Sequence, residues 1–141
     1  MVVTRRKPDA SIAGALERLL ANVGEASAGS SCRIWRGYVR QKRRGFRGAI
    51  WIAGRYVNSH RALLILTTGP VDVPHDGIES FHEWFRRATR HYRGLDASHA
   101  CDEPLCHTVE HLKWQTNAEN NQEYAQKFGR FKSKGRSNRI W

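Results

Sequence analysis

The sequence predicts an α+β domain, an antiparallel β meander with helices before and after it. Three observations carry this. Apolar residues recur at helical spacing in several segments; two runs rich in Tyr, Trp, Ile and Val flank a basic turn; and glycine-containing turns divide the whole. In chain order, Ile12, Leu16, Leu19 and Val23 place an amphipathic helix over residues 10–23, with Gly24 as its stop. Residues 32–40 and 46–57 read as extended, joined by the turn QKRRG at 41–45, and Ala53-Gly54 adds a second turn that completes the meander at about residue 57. SHRALLILTT (59–68) reads as a short buried helix closed by Gly69-Pro70. Ser80 with Glu83 forms a capping-box pattern, followed by a helical face of Phe81, Trp84, Phe85, Ala88 and Tyr92. Thr116 with Glu119 repeats the pattern and opens a helix to about Phe128, which Gly129 ends. Residues 96–114 show no period and read as loop and short strand.

A chain of 141 residues suits one domain with a modest core. Lys and Arg number 24 against 13 Asp and Glu, a formal net charge of +11, which points to a polyanionic partner, most often nucleic acid. The charge is clustered. From Ala26 to Val71 there are nine basic residues and no acidic one, and KFGRFKSKGRSNRIW at the end carries six more, again without an acid. A folded core with two basic surfaces, the second a tail, follows. No apolar run reaches the length of a membrane span, and MVVTRRKPDA has no apolar stretch of a secretory signal, so a cytoplasmic protein is expected. The plainer alternative is a basic, ribosome-associated or merely very soluble protein.

Three cysteines, Cys32, Cys101 and Cys106, cannot complete a disulfide framework. Cys101, Cys106 and His111 are separated by four residues each time, and a loop can wrap them around one ion. Three thiolates and an imidazole fill a tetrahedral zinc shell, with Cys32 as the remaining sulfur. Zinc would then staple the N-terminal half to the 98–111 loop. The competing readings are a Cys101–Cys106 disulfide or three buried thiols. His107 is a rival ligand, though it adjoins Cys106; His75, His82 and His91 read as ordinary surface or core histidines.

His99 lies two residues before Cys101, so the same loop would hold its ring, and Asn120 lies in the first turn of the capped helix. A neutral imidazole can take a proton from water, and an amide oxygen is a hard ligand for a hydrated magnesium ion. The pair therefore suits metal-assisted phosphodiester hydrolysis, against the plainer reading of a loop histidine and a capping asparagine.

The ordered set Cys32, Gly37-Tyr38, His60-Arg61, His99, Cys101, Cys106, His111-Leu112 and Asn120 resembles the His-Me finger (ββα-metal) endonucleases, and most of all the zinc-bound HNH and His-Cys box homing enzymes. The resemblance covers about residues 32–128. It implies a zinc-stapled ββα-metal finger at 96–128, with the helix near 80–92 as an insertion. It implies His99 as general base, Asn120 as ligand of the catalytic magnesium, Arg61 near the scissile phosphate, and Cys32, Cys101, Cys106 and His111 on structural zinc. The implied products are a 5′-phosphate and a 3′-hydroxyl. The sequence departs from the pattern in three places: Ser98 stands where many HNH members carry an acid, Val109-Glu110 replaces the common Asn-Pro, and the cysteines for a second zinc site are missing. The 71–95 stretch is longer than in many relatives, and the resemblance assigns it no role.

For contact with double-stranded DNA the candidates are Arg36, Arg40, Lys42, Arg43, Arg44 and Arg47 on a two-stranded ribbon, and Lys127, Arg130 and Lys132 at the start of the tail. A double-strand cutter with one site per chain would favour a homodimer. The alternatives are a zinc-stabilised DNA-binding module without cleavage and, further off, an RNA-binding accessory protein.

Overall fold

The computed structural model describes residues 8–26, 31–42, 45–69, 77–99, 101, 103 and 105–129. Helix α1 (Ile12–Leu20) begins where the Ser11 hydroxyl accepts the Gly14 amide, and buries Ala15 and Leu19. It stops earlier than its apolar spacing predicts, because Val23 belongs to strand β1 (Val23–Ala26), antiparallel to β2 (Arg33–Trp35). Gly24 is therefore not a helix stop. It sits inside β1 against the Arg36 side chain, where an added Cβ would lie 2.4 Å from Nε.

The expected strand 32–40 is divided. After β2 the chain bends, closed by the Trp35 indole donating to the Tyr38 carbonyl (2.9 Å), and resumes as β3 (Val39–Lys42). Strands β3, β4 (Gly45–Ile52) and β5 (Arg55–Asn58) form the antiparallel meander, paired Val39 to Gly48 and Ile50 to Val57. Ala53 and Gly54, both at positive φ (52° and 86°), make its second turn as expected. On the outside of this sheet the Trp51, Tyr56 and Tyr38 rings form an exposed ladder with centroids 5.1 and 5.2 Å apart.

Helix α2 (Ser59–Thr68) occupies the predicted residues and is the centre of the molecule; Ser59, His60 and every residue from Ala62 to Leu66 are buried. It packs against α1, β4, β5, α3, β6 and β7. Each fully buried Leu or Ile here contributes about 1.5–3 kcal/mol of transfer free energy. Helix α3 (Ile78–His91) buries Phe81, Trp84, Phe85 and Ala88, the predicted face, but starts before Ser80. Gly77 is its N-cap and its amide donates to the Ala10 carbonyl (2.9 Å), so Ser80 and Glu83 lie inside the helix and form no capping box.

The last unit is a β–β–α arrangement. Strand β6 (Leu95–His99) pairs antiparallel with β7 (Leu112–Thr116), Leu95 opposite Thr116 and His99 opposite Leu112. Thr116 then caps α4 (Asn117–Phe128) with both bonds of a capping box to Glu119, and Gly129 ends it in the left-handed conformation at φ 70°. Helix α4 lies against both strands of the hairpin. The result is α+β with small antiparallel sheets. Among the described residues no helix is long and apolar enough to cross a membrane.

Candidate metal centre and the groups beside it

The metal cluster forms where the loop after β6 returns to β2. Trp35 donates its amide to the Leu105 carbonyl (2.8 Å) and His107 donates to the Arg33 carbonyl (2.7 Å), a β-bridge that sets Ile34 opposite Cys106. These bonds bring together residues that are distant in sequence. One ligand atom each of Cys32, Cys101, Cys106 and His111 lies within 4.8 Å of the others, the three residues the spacing picked out and the one remaining cysteine. All three cysteines carry free thiols, which removes the Cys101–Cys106 disulfide.

The donor set fits zinc. Zn–S of about 2.3 Å and Zn–N of about 2.0–2.1 Å at tetrahedral angles place sulfur and nitrogen about 3.6 Å apart. The Cys32 and Cys106 sulfurs lie 3.6 and 3.4 Å from His111 Nδ1. His111 Nε2 is 3.0 Å from the Ser31 hydroxyl, which leaves Nδ1 as the ligand atom and fixes the ring. Thr108 ties the same corner, its hydroxyl accepting the Arg33 amide (2.8 Å) and donating to the Ser31 carbonyl (3.2 Å). Against the opposing effect of burial, hydrogen bonds from the Thr108 hydroxyl and amide and from His111 bring the Cys106 thiol down to about 7. Burial, with the neighbouring Cys32 and Cys106 sulfurs, pushes Cys101 up to about 12. Three sulfurs this close become thiolates together only around a cation. The cluster is thus competent to hold a metal ion such as zinc.

Three imidazoles lie next to the cluster, and only one of them follows from the loop pattern. His107 turns away from the sulfurs and stacks on Trp35 (4.8 Å). Its Nδ1 donates to the Leu105 carbonyl (2.9 Å), so Nε2 accepts from the buried Ser59 hydroxyl (2.7 Å). Burial lowers it to about 4, and it is a neutral core residue rather than a rival ligand. His60, at the first turn of α2, lies between His107 and His99, with ring centroids 6.4 and 4.8 Å away. Burial holds His60 well below the usual histidine range, and the neighbouring His99, His107, Arg47 and Arg61 act in the same direction. His99 ends β6, half-buried, two residues before Cys101. Asn120 is half-buried one turn into α4.

Arg61, near the start of α2, is half-buried and engaged by the backbone. Its two terminal nitrogens donate to the carbonyls of Leu95 (2.6 Å) and Tyr92 (2.9 Å), and its guanidinium lies 4.9 Å from the Trp114 ring, itself stacked on Tyr92 at 4.2 Å. Burial lowers it from its ordinary value, with Asp96 countering. Its fork clamps the turn from α3 into β6.

Of the expected DNA contacts, Arg36 is exposed, Arg40 donates to the Asn58 amide oxygen (3.2 Å), Arg47 is half-buried, and Lys127 is exposed at the end of α4. Arg43, Arg44, Arg130, Lys132 and the side chain of Lys42 lie outside the described residues, as does His75. The sequence reading missed Ser31 and Ser59, which bond His111 and His107, Thr108, which ties Arg33 to Ser31, and a set of arginines on α3 and the turn after it. Only the last had a signal, since Arg86, Arg90 and Arg93 recur at helical spacing opposite the apolar face.

Comparison with protein-family models, with curated proteins and with solved structures returned no match.

Proposed function

We propose that this chain is a metal-dependent DNA endonuclease of His-Me finger type. The observation that supports it best is the position of the Cys32, Cys101, Cys106 and His111 cluster at the end of β6, two residues from His99, on a hairpin that leads directly into the capped helix bearing Asn120. Zinc on the three sulfurs and His111 Nδ1 makes that end of the hairpin rigid. His99 is the general base. It takes a proton from water, whose oxygen attacks phosphorus as the P–O3′ bond breaks, and the leaving 3′ oxygen takes a proton from a second water, giving a 5′-phosphate and a 3′-hydroxyl. His60, its ring tilted 36° against that of His99 at 4.8 Å and kept neutral by burial, supports the ring without adding a second positive charge. Among the described residues no second group of Cys, His, Asp and Glu is placed to hold a metal ion. The Asn120 amide oxygen is therefore the proposed protein ligand for a magnesium ion that otherwise keeps its waters. That ion supplies charge stabilisation at the phosphate and the leaving oxygen. Arg61 positions β6 through its carbonyl bonds.

A binding module without cleavage is the second reading, favoured by one observation: the Arg61 fork is already held by two backbone carbonyls. Incubation with supercoiled plasmid and magnesium separates the two. The endonuclease reading expects nicking that falls about 10²–10⁴-fold in His99→Ala while duplex binding persists. Binding with no nicking by the parent supports the module, and equal nicking by parent and variant removes His99 as the base.

A further inference from the structure

A cleft of about 730 Å³ runs between the outer face of α3, the β5 strand and the start of β6. Six arginines line it, Arg40, Arg55, Arg61, Arg86, Arg90 and Arg93, against a single carboxylate, Asp96. Among the described residues none of the six forms a salt bridge. Arg86, Arg90 and Arg93 are exposed; Arg86 and Arg90 stand one turn apart on α3, about 6 Å at 1.5 Å per residue, and Arg93 follows in the turn just after the helix ends at His91. Self-repulsion among so many guanidinium groups is unfavourable unless an anion fills the space between them. The remaining polar lining, Thr89, Asn58 and Asn117, offers neutral hydrogen-bonding groups. An extended polyanion fits this lining better than a small anion, because the charges are spread along a strip rather than converging on one point. Asn117 opens α4 and Leu95 opens β6, so the cleft borders the same β–β–α unit that carries His99 and Asn120.

We infer that this cleft seats the sugar-phosphate backbone of duplex DNA, with α3 as a phosphate-binding helix. The inference rests on the endonuclease reading for its partner, and it gives α3 a task. Arginine forks grip two phosphate oxygens at once, and Arg86 and Arg90 on α3 with Arg93 in the turn that follows fix the duplex in register without reading its sequence. From Leu95 to His99 is about 13 Å at strand rise, so the clamped phosphates lie on the order of four base pairs from the bond at His99.

The test is binding of the full chain to a fluorescent 30-base-pair duplex across a salt series, comparing the parent with R86Q/R90Q/R93Q, with R86K/R90K/R93K, and with R87Q, a charge loss on the same helix outside the cleft. The expected result for the triple glutamine variant is a salt slope shallower by about 2.7 and binding weakened roughly 100-fold near 0.1 M salt. The lysine variant is expected to restore most of the slope, which a merely structural role for these residues would not produce, and R87Q to change it by less than one. A triple glutamine variant that keeps the parental slope and affinity overturns the inference while leaving plasmid nicking, and with it the endonuclease reading, intact. Failure of the parent to bind any duplex overturns both. A slope lost equally on a single strand that the parent prefers overturns the assignment to duplex.

Discussion

Ala53 is held at φ 52°, a left-handed conformation that costs a residue with a Cβ about 1–2 kcal/mol. It is tolerated because two consecutive positive-φ residues give the turn whose twist matches strands β4 and β5. Asparagine at this position keeps the Cβ that packs on the core and suits the left-handed region, and Asn-Gly is the favoured pair for such a turn. Ala53→Asn is therefore expected to stabilise the protein by about 1 kcal/mol, a rise of about 4 °C in the midpoint of thermal unfolding. An unchanged or lower midpoint in a circular-dichroism melt would show that the turn is not strained. The metal ligands are the residues whose roles could be read most directly from the sequence, since two cysteines and a histidine evenly spaced in a stretch without hydrophobic period suit an ion and little else. The residues that hold them in place were not legible. Ser31 meets His111, and Thr108 meets Arg33 and Ser31, only because the chain around β2 arrives from elsewhere in the sequence, and a lone Ser or Thr carries no sign of its partner.

Elements with local signals at both ends fold where the sequence places them. Helix α4 has its capping box at Thr116 and Glu119 and its glycine at 129, and helix α2 is bounded by the end of the meander and by Gly69. Where the decision lies in tertiary contact, the local reading fails. Strand β1 takes Val23 from the helix because Val23 pairs with Trp35, and the Trp35 indole bond to Tyr38 cuts one long strand into β2 and β3. The bond from Gly77 to Ala10 starts α3 ahead of a capping pattern that looked complete. Where a cap does form, its energy is measurable. Thr116 and Glu119 are exposed, so their hydrogen bonds to the first turn of α4 account for most of what they contribute. Thr116→Ala is expected to lower stability by about 1 kcal/mol and the thermal midpoint by about 3–4 °C, with little change in the burial of the core. Amide exchange should speed up at residues 117–120 first. Uniform speeding across all helices would instead mean that the cap supports the whole fold.

The molecule as a whole has one core built around α2, and two long-range ties hold the β–β–α unit to the rest. The first is the arginine clamp, in which Arg61 on α2 grips the Tyr92 and Leu95 carbonyls beside the Tyr92–Trp114 stack. The Tyr92 hydroxyl adds a bond to the Thr68 carbonyl and the Trp114 indole one to the Thr68 hydroxyl, so the end of α2, the end of α3 and strand β7 meet at one point. The second is the metal cluster, backed by the Ile34–Cys106 bridge. A metal joining Cys32 to Cys101 closes a span of roughly 70 residues, and the chain-entropy relation for a crosslink of that length gives about 4 kcal/mol. The β-bridge beneath it is made of ordinary amide bonds that survive without the ion, so the apo chain is expected to stay folded but loosened at the 101–111 loop. At about 3–4 °C per kcal/mol, a strong chelator should lower the unfolding midpoint by about 12–16 °C, reversed by zinc and not by magnesium, whose preference is for oxygen ligands. Protein purified without chelator should carry one zinc per chain by elemental analysis, and Cys106→Ser should carry almost none and melt near the chelated parent. A midpoint indifferent to the chelator, in a protein that contains no zinc, would leave three thiols and an imidazole within 4.8 Å of one another with no ion to hold them there.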